Sequence, residues 1–270
     1  MLIGLLFLAE LIQGQELYFK PYVKYNYSLS SQVAPEFFNV NIPFGYSRGY
    51  MSVGGTIEQF TLSSGYKYGG TVGYKFNDII GIEMGLDYFN SKKTMESEEA
   101  YSIAGTTDWN LKSINSSPSL TFSKNYDKSV LTGKFGALIG LSWLDNAIYA
   151  KTIDCGRSYA LSKNLCLGYV MGIEYTYLMM PHFAVSIECG IENYSYVPHS
   201  ARLIENTVPG ATFMKDIVYK DEIRDANCYY DPDQGSFFYD QKNREVRIQE
   251  KIKMNSVYCS IGVKYIISIK

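Results

Sequence analysis

Residues 79–89 read IIGIEMGLDYF, and the fold turns on what this stretch faces. Ile80, Ile82, Met84, Leu86 and Tyr88 share one parity; Gly81, Glu83, Gly85 and Asp87 share the other. Side chains alternate across a strand with period two, so one face is apolar and the other is glycine and carboxylate. A soluble sheet satisfies such a strand by turning its polar face to water. A barrel wall in hydrocarbon satisfies it the other way, with acids and bare backbone packed inside.

The pattern recurs in eight segments, approximately 16–28, 66–76, 79–90, 109–124, 129–144, 165–178, 182–197 and 255–269. In the fourth the parity slips between Leu111 and Ile114, which predicts a bulge, and Pro118 is an awkward ladder member. Short gaps fall at 77–78, 125–128 and 179–181; long ones fall at 29–65, 91–108, 145–164 and 198–254. Short and long alternate without exception. In an up-and-down arrangement this trims one end and loads the other, as in barrels with short periplasmic turns and long outer loops. An even strand number puts both termini at the short-turn end.

The other strands repeat the division of faces. Leu131, Phe135, Ala137, Ile139, Leu141 and Trp143 oppose Thr132, Lys134, Gly136, Gly140 and Ser142. Val257, Ile261, Val263, Tyr265 and Ile267 oppose Ser260, Gly262, Lys264 and Ser268. The apolar parity carries no charge. The polar parity collects Lys20, Lys24, Lys67, Lys75, Lys134 and Lys264 with Glu83, Asp87, Glu174, Glu188 and Glu192. Exposed strand faces seldom repeat glycine, whereas a crowded narrow lumen needs it. Tyr18, Tyr66, Tyr68, Tyr88, Trp109, Trp143, Tyr175, Tyr177, Tyr194 and Tyr196 lie mostly near strand ends, as aromatic girdles do.

Glu83, Lys134, Glu174, Glu188 and Lys264 sit at similar heights above the short-turn end. A lone buried charge costs several kcal/mol, so these five are expected to share one ion-pair network plugging the lumen. Isolated charges solvated by lumen water are the alternative.

The 270 residues include 25 Tyr and 14 Phe but 2 Trp and 2 His, a strand-favouring balance. The net charge of −2, from 25 basic and 27 acidic residues, leaves no basic stripe and argues against nucleic acid as a partner. The start MLIGLLFLAELIQG has a short apolar core and small Gly14, matching an export signal over 1–14 ahead of a single barrel domain over 15–270. A start codon chosen too late would account for the absence of Lys or Arg before the run. No segment has the roughly 20 apolar residues of a transmembrane helix.

Chemistry-bearing motifs are sparse. His182 and His199 fall at opposite ends of the seventh strand, which rules out their sharing a metal. His199 and Ser200 lie on the outer rim without a nucleophile-elbow motif. DANCYYDPDQGSFFYD at 225–240 offers Asp231, Asp233 and Gly235 but departs from the EF-hand spacing. No catalytic residue, cofactor or metal is predicted. Five cysteines forbid full pairing. Cys189 and Cys259 lie on the apolar parity, while Cys155, Cys166 and Cys228 belong to the long-loop end, where any pairing among the three stays open.

With its signal-like start, eight alternating strands and closing SIGVKYIISIK, the chain resembles the bacterial outer-membrane β-barrel protein family, of the small OmpA/OmpX-like kind, over about 15–270. It departs from the family in ending on Ile269 and Lys270 instead of an aromatic residue. The resemblance implies a closed antiparallel eight-stranded transmembrane barrel, all-β, in the bacterial outer membrane with both termini periplasmic. The implied partners are outer-membrane lipid and the barrel-assembly machinery. An eight-stranded barrel holds only its own side chains or one small ligand. The expected function is therefore non-enzymatic: an envelope component that binds an extracellular ligand through loops 29–65 and 198–254. A narrow channel or small-solute transporter is the first alternative, and a soluble lipocalin-like carrier of an apolar ligand the second.

Overall fold

The computed structural model describes residues 15–29, 32–33, 40–44, 49–53, 59–97, 105–150, 155–206, 217–220, 228–230, 238–240, 245–248 and 252–269. The signal-like segment 1–14 and the acidic loop of Asp231, Asp233 and Gly235 lie outside them.

Eight long strands form the wall: β1 (Gln15–Ser28), β2 (Gly65–Lys75), β3 (Ile80–Ser97), β4 (Gly105–Asn125), β5 (Ser129–Ala150), β6 (Asn164–Met180), β7 (Phe183–Tyr196) and β8 (Ile252–Ile269). Each pairs antiparallel with its sequence neighbour, and β8 pairs with β1 from Gln15↔Ile269 to Ser28↔Ser256, so the sheet closes on itself. Closure removes both edges, the condition for a sheet to sit in hydrocarbon without unpaired backbone groups.

At the short-turn end the connections are 76–79, 126–128 and 181–182. Asn77 shapes the first of these: its Oδ1 accepts the backbone N–H groups of Ile79 and Ile80 at 2.9 and 2.7 Å. An Asx turn of this kind is the local reason Asn sits there. Both chain ends of the wall lie at this end.

The faces follow the parity of the opening stretch. Ile80, Ile139 and Val263 are 36, 42 and 49% exposed on the outside, whereas Glu83 is 5% exposed and points inward. A soluble barrel with a greasy centre is thereby excluded. The outer belt ends in aromatics at both levels. Tyr25, Tyr66, Tyr68 and Tyr88 mark its upper rim, and Tyr175, Tyr177, Phe183 and Tyr265 its lower one.

Three expectations need correction. Residues 91–108 are largely ladder: β3 and β4 pair from Ser91↔Leu111 to Ser97↔Gly105, leaving only 98–104 between them. Likewise 145–150 continue β5, and Cys155–Leu161 forms a further strand beside them, itself paired with Ser200–Asn206. These stretches read as loop because neither parity is apolar along 91–97, and beside them, at Leu111 and Leu144, the apolar side chains have moved to the inward parity, an inversion of the belt's pattern. The parity slip between Leu111 and Ile114 is also no bulge, since the register on both sides of β4 runs through it without a shift. The same inversion explains it. Leu111 is fully buried in the lumen while Ile114 faces out. Finally, Tyr18, Trp109, Tyr194 and Tyr196 do not belong to the girdles but are buried inside.

The inversion occurs at one level around the wall. Below it, apolar residues face out. Above it, Asn90, Lys112, Asp145 and Lys253 face out, while Phe89, Trp109, Leu111, Leu144, Tyr196, Ile252 and Met254 pack inside with Leu62, Tyr159 and Leu161. That is the change expected where a wall leaves hydrocarbon for water.

Candidate functional site

Among the described residues, charge is concentrated in the lumen, which is filled in layers. Six lysines and six carboxylates face it: Lys20, Lys24, Lys67, Lys134 and Lys264 with Glu83, Asp87, Glu174, Glu188 and Glu192, and, nearest the short-turn mouth, Lys75 paired with Glu16 at 3.0 Å.

Register creates the electrostatic problem that organises these layers. Glu174 of β6 lies directly opposite Glu188 of β7, and Lys24 of β1 lies directly opposite Lys67 of β2. Like charges directly opposite destabilise a sheet. At about 4 Å and an effective dielectric of about 20, two like charges repel by about 4 kcal/mol. In each case an opposite charge from another strand bridges the pair. Lys20 reaches both Glu174 and, at 3.0 Å, Glu188. Glu192 takes Lys24 at 2.9 Å and Lys67 at 2.6 Å.

Around each bridge the carboxylates take further donors, while the Oδ1 atoms of Asn26 and Asn115 are buried without a hydrogen-bond donor. In the lower layer Lys264 pairs with Glu174 at 2.6 Å, Lys134 pairs with Glu188, and Thr176 donates to Glu174 at 2.8 Å. The Tyr258 hydroxyl donates to Glu188 at 2.6 Å. In the upper layer Asn26 donates to Glu192 at 2.8 Å. Asp87 accepts from Asn115 at 2.8 Å and Tyr22 at 3.1 Å, and lies 3.7 Å from Lys67. The Lys24 ammonium also sits 4.0 Å from the Tyr258 ring centroid, joining the layers.

The glycines of the polar parity now have a cause. Gly73 lies opposite Tyr18, whose ring occupies the space a Cβ would need on its way to Glu83. Gly190 lies opposite Tyr258, whose hydroxyl would sit 2.6 Å from a Cβ there, and Gly172 makes room beside the same hydroxyl. Each glycine lets a ring lie flat across the lumen and deliver its hydroxyl to a carboxylate.

Of the five residues singled out by height, the structure brings Lys134, Glu174, Glu188 and Lys264 into one lower layer. Their common link is Lys20, which height alone did not select. Glu83 makes no direct ion pair with the other four; its carboxylate accepts from Tyr18, and the Lys264 ammonium lies 4.3 Å from the centroid of that same ring. The upper layer of Lys24, Lys67, Asp87 and Glu192 was visible only as charge on the right parity. Barrel stagger, which brings different sequence heights level, is what sequence spacing does not carry.

The two histidines are held as turn braces. His182 Nδ1 lies 3.1 Å from the carbonyl oxygen of Ile266. His199 Nε2 lies 3.1 Å from Asn164 Nδ2, while the backbone N–H groups of His199 and Ser200 donate to the Ser162 hydroxyl. Cys166 is a buried free thiol in the apolar roof. The side chains of Cys155 and Cys228 lie outside the described residues.

No protein-family model and no curated protein matches the chain. Among solved structures, the chain is similar to the outer membrane protein OprG from Pseudomonas aeruginosa at 12% identity and a TM-score of 0.49, covering 95% of this chain and 97% of that one. It is similar to a major outer membrane protein from Thermus thermophilus at 10% identity and a TM-score of 0.40, over 93% and 99%. Against Neisserial surface protein A the identity is 14% and the TM-score 0.33, over 93% and 96%.

Proposed function

We propose that this chain is a non-enzymatic, non-conducting integral protein of the bacterial outer membrane, whose barrel anchors and presents its outer loops to an extracellular ligand. The single observation that carries this reading is the filled lumen. Two ion-paired layers lie beneath an apolar roof, and no charge in the bridges lacks an opposite partner. A water-filled conduit would leave its lining charges hydrated instead of locked to one another at 2.6–3.0 Å.

The belt supports the membrane assignment. Its outside carries no charge between the rims and is apolar apart from Ser116, whose hydroxyl donates to the Met84 sulfur, and its parity inverts at one level. Closed barrels of this kind belong to bacterial outer membranes. Both ends of the wall sit at the short-turn side, the periplasmic side in such barrels. The long connections 29–64 and 197–251 then face outward, on a rigid scaffold, where recognition is ordinarily carried.

Planar-bilayer recording of the purified barrel tests the closed lumen. The expected result is silence across applied voltage; discrete openings with a stable unit conductance would favour the narrow-channel alternative. Orientation is tested separately, by labelling single cysteines introduced at Tyr126 and Ser162 in intact cells. Only the one at Ser162 should react with a membrane-impermeant maleimide.

A further inference from the structure

We propose that Cys189 and Cys259 form a disulfide across β7 and β8 on the lipid-facing surface, stapling the last two strands of the barrel. The two residues are direct partners in the ladder. Antiparallel partners have Cα atoms about 4.5 or 5.5 Å apart, depending on which kind of pair they form. Both values lie within the window of about 4.4–6.8 Å that a disulfide accepts, so the bond needs no backbone movement.

The side chains are already aimed. As thiols, their sulfurs stand 2.6 Å apart, which places both χ1 rotamers toward each other instead of along the wall. Nothing in the lumen is disturbed, because both side chains are on the exposed outer face. Above and below them the partners are Ile191↔Val257 and Ile187↔Ile261, so the pair sits within the apolar belt, and its oxidation removes two thiol groups from hydrocarbon. Ordinary strand composition offers no reason for two cysteines at one rung. A pair matched across strands 70 positions apart in sequence is what a cross-link would require.

The chemistry is thiol–disulfide exchange. One thiolate attacks a sulfur of an external disulfide and expels one thiol. The second cysteine then attacks the mixed disulfide and expels the other. Two electrons and two protons pass from the cysteines to that oxidant, which leaves as two thiols. The oxidant class is a reactive disulfide, whether of a protein or of a small thiol. It acts most readily before insertion, while both strands are open to water.

Mass spectrometry of the full chain tests the staple. The protein is extracted from membranes without reductant, unfolded in an alkylating reagent, and digested. The expected product links the peptides of Cys189 and Cys259 at two hydrogens below their summed mass, and disappears on reduction. In Cys189→Ser, Cys259 should become fully alkylated. Complete alkylation of both cysteines in the unreduced chain, persisting after refolding with oxidised glutathione, would overturn the proposal. So would a link from either to a different cysteine.

Discussion

Glu188 holds Lys20, Lys134 and the Tyr258 hydroxyl at once, in a site that water does not reach. Removing it takes from Lys134 the carboxylate it pairs with and returns Lys20 to a single acid. Breaking one side of a buried pair costs about 3–5 kcal/mol, because the abandoned charge stays in the low-dielectric interior. Glu188→Ala should lower the stability of the folded barrel by that amount in urea unfolding on lipid vesicles. Tyr258→Phe removes one hydrogen bond to a charged group and should cost less, about 1.5–3 kcal/mol. Gly190→Val tests the space beneath the ring. Its Cβ would meet the Met171 carbonyl oxygen first, then the Tyr258 hydroxyl at 2.6 Å and the Gly172 Cα at 2.7 Å; with two of the three belonging to backbone, the overpacking cost should reach the top of the range of about 1–3 kcal/mol or exceed it. At this scale the sequence already marked the acids, the lysines and the glycines as one face. Which glycine served which tyrosine was not legible, since that depends on register across strands distant in sequence.

Along an element the polarity rule changes sign once, and substitutions should follow it. On β3 the outward residues Ile80, Ile82, Met84, Leu86 and Tyr88 cross the belt, and Asn90 stands above it. Met84 is the middle of that row. A cation facing lipid costs about 2–4 kcal/mol at the midplane and falls to about 0–1 near the interfaces. Met84→Lys should therefore show the full cost, Ile82→Lys somewhat less, and Asn90→Lys almost none. The inward Gly85→Ser should be mild, because its neighbour is the movable Ser117 hydroxyl. Equal costs at Met84 and Asn90, measured by the same unfolding assay, would place the membrane surface elsewhere. The strands' existence, order and lipid-facing parity were legible because period-two alternation survives in every belt segment. The upper ladders of β3, β4 and β5 were not, because the outward apolar parity stops at Tyr88, Ile114 and Trp143, and the next apolar residues, Phe89, Trp109, Leu111 and Leu144, lie on the other parity and read as broken pattern. Leu111 beside Ile114 is where that signal stood in plain view. Two apolar residues on opposite parities within one strand mean a bulge only if the surroundings stay the same along it.

For the whole molecule, the ion layers and the apolar roof are two seals in series. The lower seal is electrostatic: Lys20, Lys134 and Lys264 locked to Glu174 and Glu188. The upper one is steric and dry, built from Trp109, Leu111, Leu144, Tyr196, Ile252 and Met254. An ion crossing the barrel must pass both, so conductance is set by whichever remains closed. Loss of Leu111 from the roof should cost about 2–5 kcal/mol of stability as a cavity but leave the ion layers intact. Opening the lower layer leaves the roof intact in the same way. Leu111→Ala combined with Trp109→Ala should thus remain silent in planar bilayers, and Lys20→Ala combined with Glu188→Ala should remain silent too. Between them the upper ion layer of Lys24, Lys67, Asp87 and Glu192 still stands, so only a variant that adds Lys67→Ala and Glu192→Ala to these four should pass current, and only if its heat-modifiable gel mobility shows that the barrel is still folded. Current through either double variant would mean that one seal alone closes the lumen. The closed-barrel reading would survive, but the series arrangement would not.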